Sequence, residues 1–185
     1  MKRYVISGAL ALAVIAAAPG AASAQERSPH TGSTAVGIDF GFLVPSDDQL
    51  DTSMNVGALF EYYITPRVSL RTGFGIADAE VQTNEINSFR QVPLRMDLNY
   101  NWEGGRWHPF VGTGVGAYFL QQKTDGRPFG EQETKFGFNL GGGAEYFLGP
   151  RLAIKGEGRY HFVEDAVTGF DPSGLSLSVG LKRYF

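Results

Sequence analysis

Three histidines are the side chains of this sequence best suited to acid–base chemistry, and the chain has no cysteine. His30, His108 and His161 are far apart, and only His161 has acidic residues nearby in sequence, namely Glu164 and Asp165. A nucleophilic serine needs a base and an orienting acid within hydrogen-bond reach. By alternation His161 falls on the charged face of its segment, which favours a histidine with satisfied hydrogen bonds. The sequence therefore predicts no catalytic residue and no enzymatic activity.

Metal and cofactor sites also lack their usual signatures. There is no paired-histidine spacing, and no glycine-rich loop precedes a helix to hold a phosphate. The run Gly141–Gly143 falls inside a segment of strand type, where glycine marks a bend or close packing against a bulky neighbour. The sequence accordingly predicts neither a metal site nor a bound cofactor.

Charged residues are the remaining candidates for a functional site, and they share one face of alternating segments. Five are acidic and six are basic, and glycines lie between them. They are Asp39, Glu61, Arg71, Arg95, Asp97, Lys135, Glu145, Lys155, Glu157, Arg159 and Lys182. If this face lines a narrow interior, the charges would pair and close it, since eight strands enclose little more than side chains. A structural network is favoured over a path for ions or small solutes.

The elements that position these charges are eight segments in which apolar residues recur at every second position. That period is typical of β-strands, and helical periodicity is absent from this part of the chain. Each segment is long enough to cross a bilayer as a tilted strand, which takes about 9–11 residues. The segments are Thr34–Val44, Val56–Ile64, Val68–Ile76, Phe89–Asn101, Pro109–Leu120, Lys135–Leu148, Arg151–Phe162 and Leu175–Phe185. We predict an all-β fold, an eight-stranded antiparallel up-and-down transmembrane β-barrel.

The connections between these segments alternate between short and long. Three tight turns rich in glycine or proline are expected at residues 65–67, 103–106 and 149–151. The other connections, at residues 45–55, 78–88, 121–133 and 163–173, are longer and polar. Short turns on one rim and long loops on the other are typical of outer-membrane barrels, whose short turns are periplasmic. Both termini are therefore expected in the periplasm.

Aromatic residues concentrate near the two ends of the predicted strands, as expected for rings at the two membrane interfaces. Those near the short turns are Tyr62, Tyr63, Tyr100, Trp102, Trp107, Phe110, Tyr146, Phe147, Tyr184 and Phe185. Those near the long loops are Phe42, Phe74, Phe89, Phe119, Phe136 and Phe162. The pattern predicts two aromatic belts and an apolar face that points outward into lipid.

The first 24 residues have the features of a signal peptide. Lys2 and Arg3 precede an apolar run over Val5–Ala18, and Ala22–Ala24 has the small residues of a cleavage site. We predict a signal peptide at 1–24, a short periplasmic tail at 25–33 and the barrel at 34–185. Without the leader the chain has 14 basic and 19 acidic side chains, which argues against nucleic acid as a partner.

Several motifs resemble those of the small outer-membrane β-barrel family, which includes the OmpA-type transmembrane domain. They are Pro109–Gly116, Gly141–Phe147, Leu152–Tyr160 and the terminal Phe185. The resemblance covers nearly all of the predicted barrel. It implies a monomer in the bacterial outer membrane, in contact with outer-membrane lipid and lipopolysaccharide. It also implies recognition by the outer-membrane assembly machinery through the last strand and Phe185.

The long loops contain most of the acidic residues. Twelve of the 19 acids lie in these loops or at their edges, where oxygen ligands could hold divalent cations shared with anionic lipopolysaccharide. Solvated loop charges are the simpler interpretation and are favoured here.

Three functions remain open from the sequence. The favoured one is a non-enzymatic outer-membrane barrel for envelope integrity or surface interaction, with its lumen closed by charge pairs. The alternatives are a narrow porin-like channel for small solutes and a lipid A-modifying enzyme. Lipid A deacylases are similar in size and fold, but their His-x-Ser pattern is missing, because His161 is followed by Phe162 and Val163.

Overall fold

The computed structural model describes residues 29–81, 84–124, 127–164 and 171–185, and their side chains except those of 84–87. The predicted signal peptide and residues 25–28 of the predicted tail lie outside this part. The described residues form eight antiparallel strands that close into a barrel, in which β1 pairs with β8. No helix among them is long and apolar enough to span a membrane. The strands are β1 (Thr34–Pro45), β2 (Ser53–Tyr63), β3 (Val68–Val81), β4 (Asn84–Asn101), β5 (Trp107–Thr124), β6 (Arg127–Gly149), β7 (Leu152–Val163) and β8 (Gly174–Tyr184).

The barrel has an apolar outside and a polar inside. Because alternate residues of a strand point to opposite faces, β7 directs Lys155, Arg159 and His161 into the lumen, where they are buried. Ile154 and Phe162 of the same strand point outward and are exposed. A soluble barrel would have the reverse arrangement. The predicted eight-stranded up-and-down barrel with an outward apolar face is confirmed.

One end of the barrel, here called the turn end, contains the first residue of β1, the last of β8 and the three short connections. These are residues 64–67, 102–106 and 150–151, close to the predicted turns. The first turn is fixed by Thr65, whose hydroxyl accepts hydrogen bonds from the backbone N–H groups of Arg67 and Val68. The second contains Gly105 at a φ of 70°, a conformation that favours glycine.

At the opposite end, here called the loop end, two predicted loops are largely strand. β3 and β4 are separated only by residues 82–83, and β5 and β6 only by 125–126. The predictions of loops at 78–88 and 121–133 were therefore wrong in extent. Strand pairing continues because inward residues such as Ala79 and Phe89 stay apolar and buried after the outward face has become polar. We call the paired strand ends 77–81 with 84–91, and 119–124 with 127–135, the raised hairpins.

The lumen contains an apolar layer at each end. The turn-end layer consists of Ala35, Tyr63, Phe147, Ala153 and Tyr184. The loop-end layer consists of Leu50, Ala79, Val81, Phe89, Tyr118, Leu120 and Val163. Leu50 comes from the 46–52 loop, which forms a β-bridge with Val81. The two layers leave the charged part of the lumen between them.

The aromatic belts contain fewer rings than predicted. Tyr62, Tyr100, Trp102, Trp107 and Phe185 are exposed on the outside at the turn end, as expected. Five other rings assigned to the belts are buried inside the barrel: Tyr63, Phe89, Phe110, Phe147 and Tyr184. The reason is the alternation itself, because neighbours such as residues 62 and 63 point to opposite faces.

Candidate functional site

Ten of the eleven charged residues singled out in the sequence form one connected network inside the barrel. Each lies within 4.0 Å of an oppositely charged member. The acids are Asp39, Glu61, Asp97, Glu145 and Glu157, and the bases are Arg71, Arg95, Lys155, Arg159 and Lys182. The eleventh, Lys135, lies apart near the loop end, 3.6 Å from Glu133. The network among the described residues therefore has five charges of each sign.

Lys182 organises the half of the network next to the turn end. Its Nζ lies 2.5 Å from Glu61 Oε2, 2.5 Å from Glu145 Oε1 and 3.2 Å from the hydroxyl of Tyr63. An ammonium group has three N–H donors, so each finds an acceptor. The hydroxyl of Tyr184 donates to the second oxygen of Glu145. This fully buried lysine has the compensation that a charge needs away from water.

Arg71 connects the two halves of the network. Its Nε lies 3.1 Å from Glu61 and its Nη1 lies 3.0 Å from Glu157, so that β3 is linked to both β2 and β7. Its Nη2 lies 3.9 Å from Glu145, and its guanidinium lies 4.8 Å from the ring centroid of Phe110. Its side chain is 1% exposed. Arg71 thus crosses the lumen and ties together strands from different parts of the wall.

Glu157 organises the half of the network next to the loop end. Its carboxylate accepts hydrogen bonds from Lys155 at 2.7 Å and Arg159 at 2.6 Å, besides that from Arg71. Lys155 also donates to Asp39 at 2.9 Å, and Arg159 lies 3.5 Å from Asp97. The hydrogen bonds that Lys155 and Arg159 donate to Glu157 and Asp39 join ionised groups and are stronger than neutral hydrogen bonds.

Glycines on facing strands provide room for the acidic members. Asp97 of β4 faces Gly114 of β5, and Asp39 of β1 faces Gly180 of β8. A Cβ at either glycine would overlap the facing carboxylate and nearby backbone. The acidic side chains therefore lie flat against the neighbouring strand, which only a residue without a side chain permits.

Several network partners were not found from the sequence. They are the polar residues Tyr63, Ser69, Asn99, Asn101, Asn139 and Tyr184. Their signal was available, because they occupy the same alternating positions as the charges. The prediction included only residues with a formal charge and therefore omitted the amides and hydroxyls on the same face.

His161 points into the lumen and takes part in a chain of hydrogen bonds. Its Nδ1 lies 3.0 Å from the Tyr118 hydroxyl and its Nε2 lies 3.0 Å from the Ser176 hydroxyl. Ser176 donates its single proton to the carbonyl of Arg159 at 3.1 Å. The imidazole must then donate to Ser176 through Nε2 and accept from Tyr118 through Nδ1. In this arrangement His161 cannot take a proton from Ser176, so the pair lacks the geometry of an activated nucleophile.

The other histidines have local partners. His30 Nδ1 lies 2.9 Å from the hydroxyl of Ser33, and His108 Nε2 lies 3.1 Å from the carbonyl oxygen of Gly105. Within the described ranges, no cluster of three or more histidine, aspartate or glutamate side chains is placed to hold a metal ion. Of the twelve acidic residues counted in the long loops, Glu85, Asp125 and Asp165 have side chains outside the described part of the chain.

A small cavity lies in the loop-side half of the lumen. Its volume is about 60 Å³, room for a few water molecules at about 10–15 Å³ each. Polar residues on its wall include Asp39, Arg95, Tyr118, Glu157, His161 and Ser176. A cavity of this size does not make a continuous path through the barrel.

A closed eight-stranded barrel with charges inside and an apolar belt outside belongs to the class of membrane-spanning β-barrels. Residues 7–182 match the family described as "Outer membrane protein beta-barrel domain", and the chain belongs to this family. It is a protein of the bacterial outer membrane. No match was found among curated proteins.

Solved structures of other barrels are similar to this fold. Neisserial surface protein A is 13% identical, with a TM-score of 0.66 over 83% of this chain and 96% of that one. OprG of Pseudomonas aeruginosa is 13% identical, with a TM-score of 0.67 over 86% and 98%. Ail of Yersinia pestis is 12% identical, with a TM-score of 0.58 over 84% and 99%. At these identities the likeness concerns the fold alone.

Proposed function

We propose that this chain is a non-enzymatic outer-membrane barrel that contributes to envelope integrity or surface interaction, and that its lumen is closed to solutes. The observation that carries the proposal is the balanced network of ten paired charges between two apolar layers, of which eight are buried and two, Asp39 and Arg95, are partly exposed. The network holds the wall together from inside, and the raised hairpins offer a surface beyond the membrane.

The interior gives the physical reason for closure. Glu61 and Lys182 are fully buried and Arg71 is 1% exposed, so a solute would have to displace paired side chains to pass. Leaving one buried charge without its partner costs about 3–5 kcal/mol. A porin-like path would need several such pairs to separate at once.

Conductance across planar lipid bilayers tests the closed lumen. The purified barrel is expected to show no steady single-channel current. Arg71→Ala removes the link between the two halves of the network and is expected to give transient openings. Arg67→Ala, which removes an exposed arginine from a turn, is the matched control and should stay closed. Steady current through the unaltered barrel would favour the porin-like alternative and contradict the proposal.

The hydrogen-bond chain at His161 supports a non-enzymatic role. Its serine is not activated, and the pair faces the lumen and not the lipid where lipid A lies. Lipid A from cells that express the barrel is expected to have the same mass as lipid A from cells without it. A loss or gain of an acyl group that depends on the barrel would identify an enzyme.

We further propose that the turn end faces the periplasm and that the barrel is a monomer. The last strand would present Phe185, which is 62% exposed, to the assembly machinery. Since the chain has no cysteine, single cysteines can report the orientation. A membrane-impermeant maleimide applied to whole cells should label Gln132→Cys in a raised hairpin and spare Glu103→Cys in a turn. Labelling of Glu103→Cys alone would reverse the orientation.

A further inference from the structure

A concave region on the lipid-facing surface, here called the side groove, runs across β4, β5 and β6. Its volume is about 890 Å³. Strand register explains it, because small residues of β5 lie in two rows between larger residues of the neighbouring strands. The rows are Leu94–Ala117–Phe136 and Met96–Val115–Phe138. The result is an apolar channel with a shallow floor of alanine and valine and higher walls on both sides.

A basic cluster lies on the same strands beyond the loop-side end of the side groove. Arg90 donates two hydrogen bonds of 2.7 Å to the carboxylate of Asp78, and Lys123 Nζ lies 3.2 Å from the same group. Two cations share one anion, so the cluster has a net charge of +1. It follows directly after Val92 and Phe119, the last apolar outward residues of β4 and β5 before the cluster.

The spacing between the cluster and the groove suits one lipid molecule. Arg90 is four residues from Leu94 along β4, which corresponds to about 13 Å at about 3.3 Å per residue. On a tilted strand this distance allows Leu94 to lie in the hydrocarbon region while Arg90 lies in the headgroup region. Asp78 holds both cations in place, which lowers the cost of ordering their long side chains around a ligand.

We propose that the side groove and the Arg90–Lys123 pair together bind one lipid with an anionic phosphate headgroup. An acyl chain lies along Ala117 and Val115, and the phosphate contacts Arg90 and Lys123. Charge complementarity selects the headgroup, and the opposite rim of the groove has the acidic Glu164, which directs the phosphate toward β4 and β5. This inference rests on the proposed role in envelope integrity and names a lipid-binding site for it.

Native mass spectrometry of the folded barrel in detergent tests the headgroup contact. The probe is dioleoyl phosphatidylglycerol, compared with dioleoylglycerol, which has the same chains and no phosphate. The double variant Arg90→Gln/Lys123→Gln is expected to bind phosphatidylglycerol about tenfold more weakly, the loss expected for charged hydrogen bonds. The matched control Arg67→Gln/Arg106→Gln removes the same charge at the turn end and should bind as the unaltered barrel does. Equal loss in both double variants, or none in the first, would overturn the site.

A second variant tests the groove itself. Ala117→Phe fills the floor, so it should weaken binding of dioleoyl phosphatidylglycerol while binding of the dihexanoyl form changes little. Inorganic phosphate at millimolar concentration should not displace the long-chain lipid. Displacement by phosphate, together with indifference to chain length, would reduce the site to a simple anion patch and overturn the proposal.

Folding and lumen closure are controlled separately. Each variant is checked for a mobility shift between boiled and unboiled samples, which reports an intact barrel. Conductance depends on the lumen, and lipid binding depends on the outer surface. A conducting barrel that retains the lipid would contradict only the closed lumen, and a closed barrel without lipid selectivity would contradict only the side groove.

Discussion

At the scale of single residues, this barrel places charged side chains opposite glycines. The carboxylate of Asp97 occupies the space that a side chain on Gly114 would take, and Asp39 does the same at Gly180. The glycines of the inner wall are therefore part of the charged site. They set how closely a carboxylate approaches the facing strand and hence where its cationic partner must lie.

Gly114→Ala is expected to destabilise the folded barrel by about 1–3 kcal/mol, as overpacking of a filled interior does. The new methyl group would displace Asp97 from its position beside Arg159. The urea midpoint of unfolding in lipid vesicles measures the loss.

Gly156→Ala provides the matched control. Gly156 points outward, and no atom lies within 4 Å of the site of a Cβ. Its effect should stay within about 0.5 kcal/mol, as for an ordinary surface change. Equal losses at the two positions would show that glycine supports the strands in general and does not make room for Asp97.

Alternation in the sequence was sufficient to place the charged residues on one face, but it did not give their pairing. Arg71 contacts Glu61 on β2, and this contact could be expected because β2 and β3 are neighbours in sequence. Arg71 also contacts Glu157 on β7, on the other side of the lumen. The second contact depends on strand stagger and side-chain reach, which no local pattern encodes. Lys135 shows the same limit, because its parity matches the network while its height along β6 places it near the loop end.

At the scale of elements, the raised hairpins are the main difference from the sequence prediction. The prediction ended β3 where the outward face turned polar at Asp78, although the inward residues Ala79 and Val81 remain apolar. Inward side chains of β3 remain buried beyond the point where its outward side chains become polar. A strand therefore ends where neither face buries side chains, and a prediction made from the outward face alone underestimates the length of the strand.

Leu50 is the residue that attaches the 46–52 loop to the raised hairpins. Leu50→Ala is expected to cost about 2 kcal/mol or more, because it removes a buried side chain from the loop-end layer. The loss should appear as faster amide hydrogen exchange at residues 77–81, while exchange in β7 changes little. The control is Gln49→Ala, an exposed neighbour in the same loop. Unchanged exchange after Leu50→Ala would mean that the hairpins are held by strand pairing alone.

At the scale of the whole molecule, three layers succeed one another along the barrel: aromatic residues at the turn end, charges in the middle and aliphatic residues with a few rings at the loop end. The eight strands and their order followed from alternation and connection lengths. The two apolar layers did not, because each combines residues from distant strands whose relative heights are set by barrel closure. The lipid-facing surface has a comparable division, with a belt of large residues interrupted by the side groove.

The equal numbers of positive and negative charges in the network also determine how the barrel responds to an electric field. A potential across the outer membrane pulls five of these charges one way and five the other. The network as a whole has no net force to pull it along the barrel axis, and its members are bound to one another more tightly than to solvent. Because these forces cancel for either sign of the potential, the network as a whole is expected to stay in place when the potential is reversed.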